Sequence, residues 1–359
     1  MQLAVRTIPC GRLIAMPAFL AAPIGPTFTS RHHRTGLLTR LLLALGLFCV
    51  ASGTPAAANE VALEMVLKLE PAAAQCGVLA APTPAVPAAA RQRLPQSEAV
   101  HGLKDIAWAW LGSPTNRYPH AAFGSPVHAG SLHVLVADAS GALQQLTLAL
   151  PAQRVFEDRV PRLVDLDGDG RDEIILVEAD TARGAALVVF GLRAAAVAAN
   201  AASATPAGLG LVELARGPSI GTAFRWLNPA GFADFDGDGR LDIASVTTPH
   251  IGGVLTLYHF RPPQLLPFAR ATDVSNHRFG RLEQRLAVVV EQPGRRPTVL
   301  VPDMQHTALQ ALRWDAPGQW SRLDEPVALR ARIERVTPLA GGACVLLADA
   351  SWWRVMLGR

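Results

Sequence analysis

The sequence predicts an all-β chain built from repeated strand units, and three observations carry that reading. Two nine-residue acidic loops, residues 165–173 and residues 234–242, each run straight into an apolar stretch of β-rich composition. A glycine followed four or five residues on by an apolar run recurs at Gly130, Gly170, Gly239, Gly294 and Gly341. With 30 glycines and 28 prolines in 359 residues, turn signals come about every ten residues and leave little room for long helices.

The N-terminal region has an export layout. Basic Arg31 to Arg34 and Arg40 precede an apolar run at residues 41–50, followed by Ala56, Ala57 and Ala58. Residues 1–58 are thus expected to hold an upstream segment plus a Sec-type secretory signal. Its apolar core is too short for a bilayer that needs about 20 residues, so no membrane span is expected in the mature chain. The destination is the periplasm, the exterior or the cell surface. Residues 59–96 read as a Pro/Ala-rich linker with a short amphipathic piece at residues 61–69, and residues 97–359 hold the repeats. Cys10 and Cys49 leave with the signal. The remaining pair, Cys76 and Cys344, either forms a bridge from the linker to the last repeat or stays apart, with Cys344 a buried thiol.

The acidic loops are cages for a hard divalent cation, and Ca²⁺ is the expected ion. Oxygens stand at positions 1, 3, 5 and 9, a backbone carbonyl at 7, and glycine at 6 permits the sharp bend. The expected ligands are Asp165, Asp167, Asp169 and Glu173 with the Arg171 carbonyl, and Asp234, Asp236, Asp238 and Asp242 with the Arg240 carbonyl. Carboxylates about 4 Å apart repel by roughly 4 kcal/mol per pair at an effective dielectric of 20, so the ion is expected to stabilise the fold. Glu173, longer than the aspartate at position 9 of the second loop, is expected to alter denticity or weaken the first site. These are not EF-hands, because Leu176 and Ser245 stand where a bidentate glutamate is required.

The two loops, with Ile174 and Ile243 directly behind them, resemble the FG-GAP/VCBS repeat family. That resemblance implies a calcium-binding β-propeller such as the integrin alpha-chain head, with the loops at blade hairpins. Intervals of 40, 69, 55 and 47 residues between the five glycines suit blades of about 40 to 50 residues. The long interval is accounted for by an alanine-rich surface insertion at residues 194–208. The expectation is five blades, with six as the alternative, and calcium in two of them. In the fourth copy Val289, Glu291, Pro293 and Pro297 replace the ligands, and in the first Ser125, Val127, Ala129 and His133 do so. Closure requires an outer strand for the last blade, expected from residues 100–111.

Charge and motifs narrow the function. The net charge of +4 comes from scattered arginines without a basic stripe, which argues against nucleic acid. The motifs that mark serine hydrolases, zinc proteases, Walker loops and dinucleotide sites are missing, so the chain is expected not to be an enzyme. A site assembled from several blades leaves no local signature, however, and His101, His120, His128, His133, His250, His259, His277 and His306 could supply one. Asp138, Asp180, Asp303 and Asp349 read as turn formers. Trp108, Trp110, Trp352 and Trp353 read as packing residues, with sugar stacking as the alternative. The favoured expectation is a monomeric exported scaffold that binds a protein or glycan partner. The alternative is a propeller-based hydrolase or lyase acting on polysaccharide.

Overall fold

The computed structural model describes residues 67–72, 76, 84–138, 140–194, 208–322 and 326–358, all within one compact unit, Val61–Arg359. The expected signal and most of the alanine-rich insertion lie outside the described residues. After β1 (Leu67–Pro71) and a 3-10 turn (Ala88–Gln92), the strands follow one another in antiparallel groups, of which the first three are joined into one 13-stranded sheet by single-residue pairings, Ala129 with Phe156 and, in parallel, Arg216 with Gln264. The first holds β2 (Val100–His101), β3 (Ile106–Thr115), β4 (His128–Ala137) and β5 (Leu143–Ala149). The second holds β6 (Arg154–Phe156), β7 (Arg162–Val164), β8 (Glu173–Asp180), β9 (Gly184–Ala194) and β10 (Leu209–Arg216). The third holds β11 (Leu227–Ala233), β12 (Asp242–Thr247), β13 (Val254–Arg261) and β14 (Gln264–Thr272). The fourth holds β15 (Val288–Val290), β16 (Thr298–Pro302), β17 (Ala308–Ala316), β18 (Gln319–Arg322) and β19 (Val327–Ala328). The last holds β20 (Ile333–Leu339), β21 (Gly342–Leu347) and β22 (Trp352–Leu357), with β1 paired to β22. The all-β expectation is met, and no sheet closes on itself among the described residues.

The second long strand of each group is apolar on both faces because it lies between two cores. Ile174 and Leu176 of β8 enter a cluster with the first group, whereas Ile175 and Val177 enter a cluster with the third. The alternation repeats in β12, where Ile243 faces back and Ala244 and Val246 face forward. In β16, Val299 and Val301 face back and Leu300 faces forward. Each such buried aliphatic side chain contributes about 1.5–3 kcal/mol. Strand periodicity of two thus joins neighbouring groups through shared cores.

Two expectations about the chain path need correction. The outer strand of the last group is β1, in register from Leu67 opposite Leu357 to Pro71 opposite Trp353, and not residues 100–111. The reason is burial on both faces. Ile106, Trp108, Ala109, Trp110 and Leu111 are all buried, the pattern of an inner strand. In β1, Leu67 and Leu69 pack on the last core while Glu70 faces out to pair with Arg354. Part of the expected linker is therefore structural. Cys76 is bonded to Cys344, and Ala90 of the 3-10 turn packs under Trp108 and Trp110. The four acidic turns behave as expected, Asp138, Asp180, Asp303 and Asp349 each accepting turn N–H donors. Gly170 and Gly239 both take φ +85°, whereas Gly130 lies inside β4.

Candidate functional site

The acidic loops occupy the same place in successive groups, between β7 and β8 and between β11 and β12. Their hydrogen bonds match position by position. Gly170 N–H donates to Asp165 Oδ2 at 3.0 Å and Gly239 N–H to Asp234 Oδ2 at 2.9 Å. The Arg171 and Arg240 N–H groups donate to Asp169 and Asp238 Oδ1, each at 2.9 Å. Leu166 N–H donates to Glu173 Oε2 at 2.9 Å and Phe235 N–H to Asp242 Oδ2 at 3.2 Å. Glu173 therefore fills the same role as the shorter Asp242.

These bonds leave acceptors over. Asp165 Oδ1, Glu173 Oε1 and Asp234 Oδ1 are buried with no hydrogen-bond partner. Ligand atoms of Asp165, Asp167 and Glu173 gather within 4.8 Å of one another, as do those of Asp234, Asp236 and Asp238 and those of Asp236, Asp242 and His259. Asp169 stands outside the first cluster. Burial, reinforced by Asp167 and Asp169, pushes the Glu173 carboxyl up to about 7. Burial also pushes Asp242 up to about 6 against the pull of His259, whose Nδ1 lies 3.0 Å away. Clustered hard oxygens with orphaned buried lone pairs fit a Ca²⁺ donor set.

A second constellation forms around His120. Its Nδ1 lies 2.6 Å from Oε1 of Glu157, which follows β6 and is fully buried. Burial pushes the Glu157 carboxyl up to about 7 despite the hydrogen bond from His120, and its Oε2 has no partner. Both residues are clamped through their backbones. His128 Nε2 lies 2.8 Å from the His120 carbonyl and donates to it, and Trp226 Nε1–H donates to the Glu157 carbonyl at 2.8 Å.

The His120 ring lines a cup of about 140 Å³ with Phe224, Arg225, Trp226, His250 and Phe279. Phe224 and Phe279 are 45% and 58% exposed, with ring centroids 5.9 and 5.8 Å from that of His120. Beneath them His250 stacks on Trp226 and donates from Nε2 to His277 Nδ1 at 2.8 Å, and His277 Nε2–H donates to the Arg281 carbonyl. Burial lowers His250 to about 4 and His277 to about 3, so both are neutral at neutral pH.

The eight histidines separate accordingly. His120, His250 and His277 meet at the cup. His128 supports it, and His306 is hydrogen-bonded to Ser275 nearby. His101, His133 and His259 pack on Trp108, Trp110 and Phe268 elsewhere. Glu157, Phe224 and Phe279 were not singled out by sequence. Glu157 and His120 are 37 residues apart on different segments, and nothing local marks them.

No family model matches the chain, and no curated protein does. Solved structures do. The chain is similar to the exotype rhamnogalacturonan lyase YesX (14% identity, TM-score 0.34), with 70% of this chain covered and 54% of the lyase. It is also similar to the rhamnogalacturonan lyase YesW (14%, TM-score 0.29, 64% and 48% covered). A third match is a GH43 glycoside hydrolase engineered to display endo-xylanase and exo-arabinofuranosidase activity (12%, TM-score 0.31, 74% and 50% covered). The chain spans about half the length of the solved structures it matches. These solved structures are enzymes, contrary to the expectation of a non-enzymatic chain, and at TM-scores of 0.29–0.34 the likeness carries no activity over to this one.

Proposed function

We propose that the chain is an exported five-bladed β-propeller of the FG-GAP/VCBS kind, braced by two Ca²⁺ ions, whose His120–Glu157 pair performs acid–base chemistry on a polysaccharide. The observation that carries the enzymatic reading is the 2.6 Å contact between His120 Nδ1 and a fully buried Glu157 carboxylate. Once ionised, as pH passes through about 7, the carboxylate holds the proton on Nδ1 and leaves the Nε2 lone pair as a base. That nitrogen makes no hydrogen bond among the described residues. The exposed rings of Phe224 and Phe279 offer faces on which a sugar can stack.

The cup favours elimination over hydrolysis. Glycoside hydrolysis uses two carboxyl groups flanking the scissile bond, and none lines this cup. A lyase needs one base and a cation. His120 Nε2 takes the proton α to a uronate carboxylate, the electron pair forms a double bond, and the glycosidic oxygen leaves from the β carbon. Arg225, which lines the cup, neutralises the charge that develops on the carboxylate.

Calcium belongs in the two acidic loops, where it would neutralise the gathered carboxylates. Asp165, Asp167 and Glu173 would hold one ion, with Asp169 outside the gathered set, and Asp234, Asp236, Asp238 and Asp242 would hold the other. The pairing of β1 with β22 supports ring closure. The Cys76–Cys344 disulfide suits an oxidising compartment. No helix among the described residues is long and apolar enough to cross a membrane.

The test is turnover of acidic polysaccharides, followed by the absorbance of the unsaturated product. The expected outcome is activity that His120→Ala lowers by about 10²–10⁴-fold at unchanged melting temperature. Equal activity in wild type and variant refutes the assignment, as does wild-type protein that turns over no uronate polymer.

A further inference from the structure

A larger cavity, of about 670 Å³, shares the segment 278–281 with the cup: Phe279 lines the cup, and Arg278, Gly280 and Arg281 line the cavity. Its volume lies within the roughly 300–1,000 Å³ of small-ligand sites. Three of its arginines are matched by carboxylates, Arg278 by Glu334, Arg285 by Glu98 and Arg335 by Glu283. Arg159 and Arg281 make no such ion pair among the described residues, although the carboxyls of Asp158 and Glu157 act on the charge of Arg159, so that Arg281 is the free cation of the wall.

Two buried polar atoms on residues of this wall lack partners. Arg159 is 3% exposed and donates from Nη1 to the Pro95 carbonyl and from Nη2 to the Val127 carbonyl, but its Nε has no acceptor. Gln284 is 5% exposed and donates from Nε2 to Asp158 Oδ1 at 3.0 Å, but its Oε1 has no donor. A buried group left unsatisfied costs about 1–3 kcal/mol, which a ligand can recover.

We propose that this cavity binds a carboxylated sugar, with the carboxylate at Arg159 and Arg281 and a hydroxyl donating to Gln284 Oε1. A neutral sugar leaves the arginine charge unmatched. A small inorganic anion supplies chiefly acceptors and leaves Gln284 Oε1 bare. An acidic sugar supplies both kinds of partner. The proposal rests on the lyase reading in one respect: the sugar is a neighbouring unit of the polymer held at the cup.

Calorimetric titration of the full chain with glucuronate, glucose and inorganic phosphate tests it, using wild type, Arg281→Gln and Arg159→Gln. Glucuronate is expected to bind, and glucose and phosphate to bind at least about tenfold more weakly. Arg281→Gln is expected to weaken glucuronate by about tenfold or more. If Arg159→Gln fails to fold, Arg281→Gln decides alone, because that residue is exposed. Equal affinity for glucose or phosphate overturns the proposal. So does wild type without glucuronate binding, or an unchanged Arg281→Gln, which would put the sugar outside this cavity. Glucuronate binding as expected in a wild type that turns over no uronate polymer sinks the lyase reading and leaves the acidic-sugar site standing.

Discussion

Glu157 is the residue whose environment most exceeds what its neighbours in sequence suggest. Its folded carboxyl is held up to about 7 by burial, against an ordinary value of 4.5. Between those values the folded state keeps a proton that the unfolded chain has released, so stability falls as pH rises. The contribution is complete below about 4.5 and lost as pH passes through about 7. Glu157→Gln keeps the side-chain shape and cannot ionise. Wild type is therefore expected to lose more melting temperature than the variant between about pH 5 and about pH 8, and parallel profiles would contradict the burial argument. The same variant should lose activity, because a neutral amide holds the imidazole tautomer less firmly than a carboxylate does. Sequence offered His120 as one histidine among eight and offered Glu157 not at all. Their pairing is made by two segments meeting in space, which no local pattern records.

The acidic loops lie at the opposite extreme of legibility. Nine consecutive residues specify the bend, the donors and the strand that follows, and the two copies repeat one another's hydrogen bonds from Asp165 to Glu173 and from Asp234 to Asp242. Orphaned oxygens on Asp165, Glu173 and Asp234 supply the force of the calcium prediction. Modules of this kind bind at roughly 10⁻⁴–10⁻³ M. At millimolar Ca²⁺, roughly one- to tenfold the dissociation constant, each ion adds about 0.4–1.4 kcal/mol. Millimolar Ca²⁺ should therefore raise the melting temperature above that in EDTA, and Asp236→Ala/Asp238→Ala should keep about half of the rise. A full response in that double variant would place the ion away from the second loop. The strand exchange was less legible for a physical reason. Leu67, Lys68, Leu69 and Glu70 alternate as an edge strand should, but their partner β22 lies nearly the whole described chain away. Residues 106–111 looked suitable by apolarity alone, and burial on both faces excludes them from an edge.

At the scale of the whole molecule, the last group is tied to the rest by β1, by the Cys76–Cys344 bond across a separation of 268 residues, and by a core shared with the fourth group. Closing so long a loop removes entropy from the unfolded chain worth about 5.6 kcal/mol in the chain-entropy model, and engineered examples commonly deliver less. Reduction should lower the melting temperature. The form of the transition is the more telling observation. Leu300 and Val288 of the fourth group lie in one cluster with Val345 and Val355 of the last, so the last sheet cannot leave without exposing its neighbour's core. A single, shifted transition is expected on reduction, and its shift should add to any caused by EDTA, since the acidic loops lie in the second and third groups and share no partner with the disulfide. Two separate transitions in the reduced protein would show instead that the disulfide and β1, rather than the shared core, hold the last sheet in place, and its docking would then depend on the redox state of its surroundings.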